Sequence, residues 1–402
     1  MSVIVQKFGG SSVANAERVF NVADIVTSTY KEGNSVVVVV SAQGDTTDDL
    51  IEKAAEINPH PSKREMDVLL ACGEQMSMSL LAMAIEKLGY PVVSLCGWQI
   101  GMKTDSNYSS ARIKKVEADR IREELDKKKI VIVAGFQGIN KYDDITTLGR
   151  GGSDTTAVAI AASIHADLCQ IYTDVDGVYT ADPRIVPDAR KLDEITFGEM
   201  LELASLGAQV LHNRSVEMAK KYNVDLEVVS SFTRNPGTKV KEVLTMEKMN
   251  VSGVARDDKV ARIAIVGLEN TPGIAFKLFS LLAKKKVNVD IILQSVGRGN
   301  KKDISFTIAQ NEAEEVQKLL EENKELLGYE SLDVSTDVSK VSIVGAGMAS
   351  NTGVASMLFE ALAGAGINVR MISTSEIKIS VLINQEDSER AVKAIHAKFF
   401  NN

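Results

Sequence analysis

Val3-Ile4-Val5-Gln6-Lys7-Phe8-Gly9-Gly10-Ser11-Ser12 is a short apolar strand that ends on a lysine and two glycines. Glycines at such a point let backbone N–H groups close around the oxygens of an anion, and the lysine adds positive charge. A helix reads from about Ala14 to Tyr30, with its partly positive N-terminus aimed at the same place. A tight strand-to-helix turn with a snorkelling lysine accounts for the same residues, because a short glycine motif is weak evidence alone.

The next 220 residues repeat that strand–helix order. Further strands read near residues 35–41, 92–95, 130–135, 168–173 and 226–230, with helices between them, including a long one from about Ser62 to Leu88. Val36 to Val40 are five consecutive valines, the pattern of a strand buried on both faces. The alternation predicts an α/β fold, a three-layer αβα sandwich around a mainly parallel sheet. Ligands of such sheets bind at the carboxyl ends of the strands, where Lys7 stands.

A turn at Thr233-Arg234-Asn235-Pro236-Gly237-Thr238 marks a shift in composition, and a boundary falls between about Thr233 and Asn250. Beyond it the chain repeats itself. Arg262-Ile263-Ala264-Ile265-Val266-Gly267 resembles Lys340-Val341-Ser342-Ile343-Val344-Gly345, 78 positions on. Val287-Asn288-Val289-Asp290-Ile291-Ile292 resembles Ile367-Asn368-Val369-Arg370-Met371-Ile372, 80 positions on. Each unit reads strand, Gly-containing loop, helix, strand, strand, which predicts two similar α+β modules.

At 402 residues, two or three domains are expected. A hydrophobic content of 45% and a charged content of 25% are those of a soluble globular protein, and a net charge of −8 argues against bulk nucleic-acid binding. Cys72, Cys96 and Cys169 form no Cys-x-x-Cys pair, and the four histidines show no ligand spacing, so neither a disulfide framework nor a metal site is expected. With no charged leader before the first strand and no apolar run near membrane-spanning length, a cytoplasmic protein without membrane partners is expected.

Two more stretches carry chemistry. Gly149-Arg150-Gly151-Gly152-Ser153-Asp154 opens an apolar helix from about Thr155 to Ser163. Its first N–H groups suit an anion, and Arg150 can grip a carboxylate or phosphate in bidentate fashion. Asp154 there also reads as an ordinary N-cap. Thr173-Asp174-Val175-Asp176-Gly177-Val178-Tyr179-Thr180-Ala181-Asp182-Pro183-Arg184 is either a surface loop or a holder of base and phosphates, and its chemistry alone does not choose.

Taken together, these three stretches and Ser41-Ala42-Gln43-Gly44-Asp45-Thr46-Thr47-Asp48 resemble the aspartokinases of the amino-acid kinase superfamily, in order and over essentially the whole chain. The duplicated tail resembles the ACT domain pair that follows the kinase domain in that family. The resemblance implies an amino-acid kinase domain over residues 1–245 and ferredoxin-like ACT domains over 250–333 and 334–402, the second also using strand 251–255. It implies transfer of the γ-phosphoryl group of ATP to the side-chain carboxylate of L-aspartate, the entry to lysine, threonine and methionine. Mg²⁺ would arrive with the ATP.

By the same matching, Lys7 and Asp154 are the catalytic pair, Lys7 neutralising charge on the transferred group. Ser41, Thr47, Glu74, Arg150, Gly151, Gly152 and Ser153 would bind aspartate, with Arg150 on a carboxylate and Glu74 on the α-ammonium. Gly73, inside an otherwise good helix, hints at close approach by something. Lys7, Phe8, Gly9, Gly10, Thr173, Asp174, Tyr179, Thr180, Ala181, Asp182, Pro183 and Arg184 would hold ATP. Gln209 stands where many relatives carry lysine.

ACT pairs in this family bind end-product amino acids, which makes lysine, threonine or both the expected inhibitors. Pro272, Gly273, Ile274, Ala275, Asn288, Asp290 and Gln294 are candidate effector residues of the first module, and Asn368, Val369 and Thr374 of the second. An oligomer is expected, and an internal start at Met246 or Met249 would add a separate ACT subunit. The alternatives are a kinase acting on glutamate, N-acetylglutamate or a nucleotide monophosphate, and an amino-acid-binding regulator with a degenerate kinase domain. Intact Lys7, Arg150 and Asp154 speak against the regulator. A dinucleotide oxidoreductase is weaker still, because Gly9-Gly10 lacks the Gly-x-Gly-x-x-Gly spacing.

Overall fold

The structure, a computed structural model, describes residues 2–206, 210–233, 235–243, 251–295, 297, 299–348 and 351–401. Gln209, Met246 and Met249 lie outside the described residues. The chain divides into two compact units. The first takes in residues 2–178, 191–204 and 210–243, and the second 179–190, 205–206 and those from 251 on.

The first unit starts β1 (Val3–Phe8), α1 (Ala16–Lys31), β2 (Ser35–Val40), α2 (Thr46–Ile57), α3 (Lys63–Lys87) and β3 (Val92–Leu95). It continues β4 (Met102–Thr104), β5 (Ile113–Val116), α4 (Asp119–Asp126), β6 (Ile130–Ala134), β7 (Gln137–Ile139) and β8 (Ile145–Thr147). Then come α5 (Gly152–Ile164), β9 (Leu168–Thr173), β10 (Glu194–Thr196), α6 (Phe197–Ser205), α7 (Asn213–Tyr222), β11 (Leu226–Ser230) and β12 (Thr238–Lys241).

Eight strands form one sheet in the order β10-β12-β11-β9-β1-β2-β6-β3, parallel throughout except where β12 runs against β11. β5-β4-β7-β8 form a small second sheet. The valines of β2 are all fully buried. Val36, Val38 and Val40 pack with Val22 and Val26 of α1 and Leu81 and Ile85 of α3. Alternate valines face the other layer, where α5 is buried from Gly152 to Ala161, as its apolar composition all round demands. Transfer of each valine from water contributes about 1.5–3 kcal/mol, so this layer crossing anchors the sheet. Lys7 sits one residue from the carboxyl end of β1, between β9 and β2.

Two local expectations change. Gly10–Val13 wind as a 3₁₀ turn, and α1 starts only at Ala16, with the Asn15 side chain accepting from the Arg18 N–H. The first helix therefore caps itself with its own asparagine. α3, in turn, is long and apolar enough by length and composition to cross a membrane, contrary to the sequence reading. Its inward face is not that of a lipid-embedded helix, because it carries Asp67 and Glu74, both buried.

The second unit is built on β13 (Gly253–Glu269), α8 (Ile274–Lys284), β14 (Ile292–Gln294), β15 (Lys301–Ala309), α9 (Ala313–Glu322) and α10 (Lys324–Leu327). The same order returns as β16 (Ser331–Val344), α11 (Val354–Gly364), β17 (Met371–Thr374), β18 (Lys378–Asn384) and α12 (Ser388–Phe400). One antiparallel sheet, β14-β15-β13-β16-β18-β17, joins both modules with β13 and β16 at its centre. Gly253–Asp257 pair with Val344–Lys340, while Arg262–Val266 pair with Ser335–Ser331, so each long strand serves both modules.

Candidate active site

The carboxyl ends of β1, β2 and β6 bring three loops together. Ser41 N–H donates to the Phe8 carbonyl at 3.1 Å, and Gly44 N–H to the Gly10 carbonyl at 3.1 Å. A Cβ at Gly10 would stand 2.7 Å from the Ala42 carbonyl oxygen, so this glycine is required by chain packing. A Cβ at Gly9 would come no closer than 3.4 Å to anything, the nearest atom being Lys7 Nζ. Lys7 Nζ lies 2.7 Å from Asp154 Oδ1, and both side chains are largely buried.

Asp154 is held in place by an unusual helix start. Gly149 and Gly151 have φ of +77° and +66°, a left-handed geometry that side chains resist. Gly151 is the N-cap of α5 and makes no side-chain cap. Asp154 therefore stands inside the first turn of the helix rather than at its cap, with its carboxylate on Lys7. Ser153 packs on Gly135 at the end of β6, where a Cβ would stand 2.7 Å from its hydroxyl. Arg150 is exposed and forms no ion pair among the described residues. Thr47 lies in the first turn of α2, half-buried like Ser41.

α3 supplies two buried carboxylates. A Cβ at Gly73 would meet Ala42 Cβ at 2.8 Å, so the close approach foreseen there is that of the 41–44 loop. It lets Glu74 Oε1 accept from the Ala42 N–H at 3.1 Å. Glu74 Oε2 is buried with no hydrogen-bond partner, and burial pushes the carboxyl up to about 7. Such an oxygen is poised for a cation. Asp67, two turns earlier and fully buried, is spent on structure. It accepts from the N–H groups of Ser109 and Thr147 and from both their hydroxyls, with the Thr147 contacts at 2.9 and 2.8 Å.

Three residues escaped the sequence reading. Phe136, at φ +68°, donates its N–H to Thr156 Oγ1 and accepts from the Leu148 N–H, folding the end of β6 against the glycine loop. The His212 ring lies so close to Gly151 that a Cβ there would stand 2.2 Å from it. Arg214 donates to the Leu148 carbonyl at 3.0 Å and the Ala111 carbonyl at 2.8 Å, clasping the loop from outside. Gly135-Phe136-Gln137-Gly138 after a buried strand was a visible turn signal, whereas nothing local to His212 or Arg214 pointed back to that loop.

The proposed nucleotide segment divides between the units. Thr173 ends β9 in the first, its hydroxyl accepting from the Val175 N–H at 3.0 Å, with Asp174 next to it. Tyr179, Thr180, Ala181, Asp182, Pro183 and Arg184 belong to the second. There Ala181 and Val186 join the core of α11, α12, β16 and β18. Thr180 is buried, its hydroxyl 2.9 Å from His396 Nε2 and its carbonyl accepting from the Val254 N–H. Asp182 and Arg184 pair with each other at 2.7 Å.

In the tail, Gly273 caps α8 at φ +91°, between Pro272 and the Ile274-Ala275 start of the helix. Asn288, Asp290 and Gln294 are exposed around β14. Asp290 is ion-paired with the buried Lys340 at 2.5 Å, and Asp257 stands 3.7 Å from the same ammonium. Asn368 and Thr374 are exposed and Val369 is half-buried beside β17.

Residues 2–230 match the family model described as the amino acid kinase family, and residues 263–323 and 341–399 match that of the ACT domain. The chain is 52% identical over 400 residues to an aspartokinase of Bacillus sp. (strain MGA3), a match that covers 99% of this chain and 97% of the relative. It is 49% identical over 401 residues to an aspartate kinase of Pseudomonas putida, covering 99% and 98%. Among solved structures it is similar to E. coli aspartokinase III in complex with aspartate and ADP (R-state), with a TM-score of 0.83 and 26% identity over 99% of this chain and 100% of that one. The complex of E. coli aspartokinase III with lysine and aspartate (T-state) gives a TM-score of 0.76 at 26% identity, over 99% of each chain.

Proposed function

This chain belongs to the aspartokinases, and we propose that it transfers the γ-phosphoryl group of MgATP to the side-chain carboxylate of L-aspartate. The observation that carries the reading is the buried Lys7–Asp154 pair at the carboxyl end of a central parallel strand, joined through the 41–44 loop to a glutamate with one unpartnered oxygen. Aspartate and ADP are the ligands of the E. coli relative, which supports carrying them over.

The chemistry asks little of an acid or base. An aspartate side chain, with an ordinary pKa near 3.9, is already ionised, so its oxygen attacks the γ-phosphorus, the β,γ-bridging P–O bond breaks, and ADP leaves with that electron pair. No proton need move. What remains is positioning and charge stabilisation. Lys7 neutralises the equatorial oxygens of the transferring group, and Asp154 holds its ammonium in place. Glu74 receives the α-ammonium of the substrate, Arg150 a carboxylate, and Ser41, Thr47 and Gly151–Ser153 complete the pocket. Phe8, Gly9, Gly10, Thr173, Asp174 and the 179–184 segment serve the nucleotide, the last through backbone where Thr180 and Ala181 are buried.

In this reading residues 1–245 are catalytic, 250–333 and 334–402 are effector modules, and the protein works as a cytoplasmic oligomer. Lysine, bound by the E. coli relative, or threonine acts through the tail by favouring a less active arrangement, which needs different affinities for two states. ATP-dependent hydroxamate formation with hydroxylamine tests the assignment, with L-aspartate, glutamate and N-acetylglutamate as acceptors. Aspartyl hydroxamate alone is expected. Product from N-acetylglutamate or glutamate and none from aspartate would refute it.

A further inference from the structure

His396, in α12, has no part in the chemistry above, yet it is 1% exposed. Its Nε2 lies 2.9 Å from the Thr180 hydroxyl, and its ring stacks on Phe400 with centroids 4.6 Å apart. Nδ1 is buried with no hydrogen-bond partner among the described residues. An apolar side chain would fill this place without that orphan, so packing alone does not account for a histidine here.

The hydrogen bonds assign its proton. The Arg190 N–H donates to Thr180 Oγ1 at 3.0 Å, so the hydroxyl gives its own proton to His396 Nε2. The reverse arrangement would leave the hydroxyl proton buried and unbound. Nε2 is therefore the acceptor of a neutral ring that carries its proton on Nδ1. Burial, and then Arg190, hold the imidazole below its ordinary pKa against a smaller pull from Asp188, which keeps that acceptor available.

Thr180 is the neck of a turn. The Asp182 carbonyl accepts from the N–H groups of Ile185 and Val186, both at 2.9 Å, and the Asp182 side chain accepts from the Arg184 N–H, also at 2.9 Å. Residues 182–186 are thus closed on themselves. They hang from Thr180 and Arg190, where the Thr180 N–H donates to the Arg190 carbonyl at 2.9 Å and the Arg190 N–H returns to the Thr180 hydroxyl. The neck is held by the Val254 N–H on the Thr180 carbonyl at 2.8 Å, by Ala181 and Val186 packing with α11 and α12, and by His396. Packing is non-directional, so the two hydrogen bonds set the angle at which the turn stands.

We propose that His396 is a positioning residue for the nucleotide: through Thr180 it sets how residues 182–184 are presented to MgATP. The inference rests on the reading above that residues 179–184 serve the nucleotide. Pro183 and Arg184 are exposed at the tip of the turn, so a small change of angle at the neck displaces them most. The last helix of the tail thereby supports a segment of the nucleotide site.

Initial rates and thermal melts of the full-length protein test it. His396→Phe keeps the stacking on Phe400 and removes the acceptor. It is expected to raise the KM for MgATP about three- to tenfold, while kcat at saturation and the KM for aspartate stay within about twofold. His396→Gln, whose amide oxygen reaches the Nε2 position, is expected to bring that KM back toward the parent's. His396→Phe with Thr180→Val removes both partners of the bond, so Tm should recover while the KM for MgATP stays high, which keeps the test readable even where the single variant unfolds. A KM for MgATP that follows Tm through the series, or a glutamine variant no better than phenylalanine, would mean that His396 only packs and would overturn the inference. Arg184→Ala separates it from the reading beneath it. A raised KM for MgATP in Arg184→Ala with none in His396→Phe overturns this inference and leaves the nucleotide assignment standing, whereas no change in either overturns both.

Discussion

Replacing Glu74 by glutamine separates what its carboxylate does for binding from what it does for the fold. The amide oxygen of the new side chain still accepts from the Ala42 N–H, so the α3–loop contact survives. What is lost is the charge on the oxygen that has no partner. A charge-assisted hydrogen bond to an ammonium is worth about 1.5–3 kcal/mol, which predicts a KM for aspartate roughly 10- to 150-fold higher, with kcat nearly unchanged at saturation. The pH dependence is sharper evidence. With the carboxyl at about 7, only about a tenth of it is ionised at pH 6, so the wild-type KM should rise about tenfold between pH 8 and pH 6. The Glu74→Gln enzyme should show no such slope.

Stability moves the other way. The folded pKa of Glu74 lies above its unfolded value of 4.5, so below pH 4.5 the group costs nothing, and the penalty grows as pH rises to about 7. Above that pH the unliganded wild type carries a burden on the order of 3 kcal/mol that Glu74→Gln relieves. The substitution should therefore raise the ligand-free Tm at pH 8 while weakening aspartate binding. Initial-rate kinetics from pH 6 to 8 and thermal melts read both. An unchanged KM with the same pH slope in the variant would refute the role given to this side chain.

Lys7→Ala should lower kcat by about 10²–10³. Alone it also orphans Asp154, so Lys7→Ala with Asp154→Asn should recover Tm without recovering rate, which melts and kinetics on both variants separate. Gly151→Ala puts a methyl group into the His212 ring at a φ of +66°, and should cost about 1–3 kcal/mol in strain and raise the KM for aspartate, as measured by melts and initial rates. Asp67→Leu strands the N–H groups of Ser109 and Thr147 at about 1–3 kcal/mol each, and a clear fall in Tm is the expected readout.

The sheet was legible because burial on both faces leaves a plain mark: Val3–Phe8, Val92–Leu95, Leu168–Thr173 and Leu226–Ser230 stand where their apolar runs put them. Helix starts were less so. Asp154 looked like a cap because the helix was read from Thr155, but glycines in left-handed geometry start it at Gly152 and turn that carboxylate toward Lys7. Gly73 advertised a close approach without saying that Ala42 makes it. The clasp of His212 and Arg214 on the glycine loop was invisible, because only the packing of α7 brings them there. Thr180 and Ala181 read as loop residues, and their burial depends on a core built from the far end of the chain.

The duplicated tail shows how far two copies of one fold can part. Asp290 of the first module answers to Arg370 of the second, and Lys340 on β16 answers to Arg262 on β13. Lys340 is buried and divides itself between Asp290 and Asp257, whereas Arg262 reaches Asp333, and Arg370 donates to the Asn384 side chain and stands 3.7 Å from Asp337. Positions 290 and 370 thus carry opposite charge. An effector whose ammonium sought Asp290 would compete with an ammonium already there, exchanging one ion pair for another at little net electrostatic gain. Its binding would have to be repaid by contacts elsewhere in the loop, and Lys340 would be left to Asp257. Occupancy of the first module by such an effector would by that route be tied to β16, which serves both modules and also carries Asp337, 3.7 Å from Arg370 of the second.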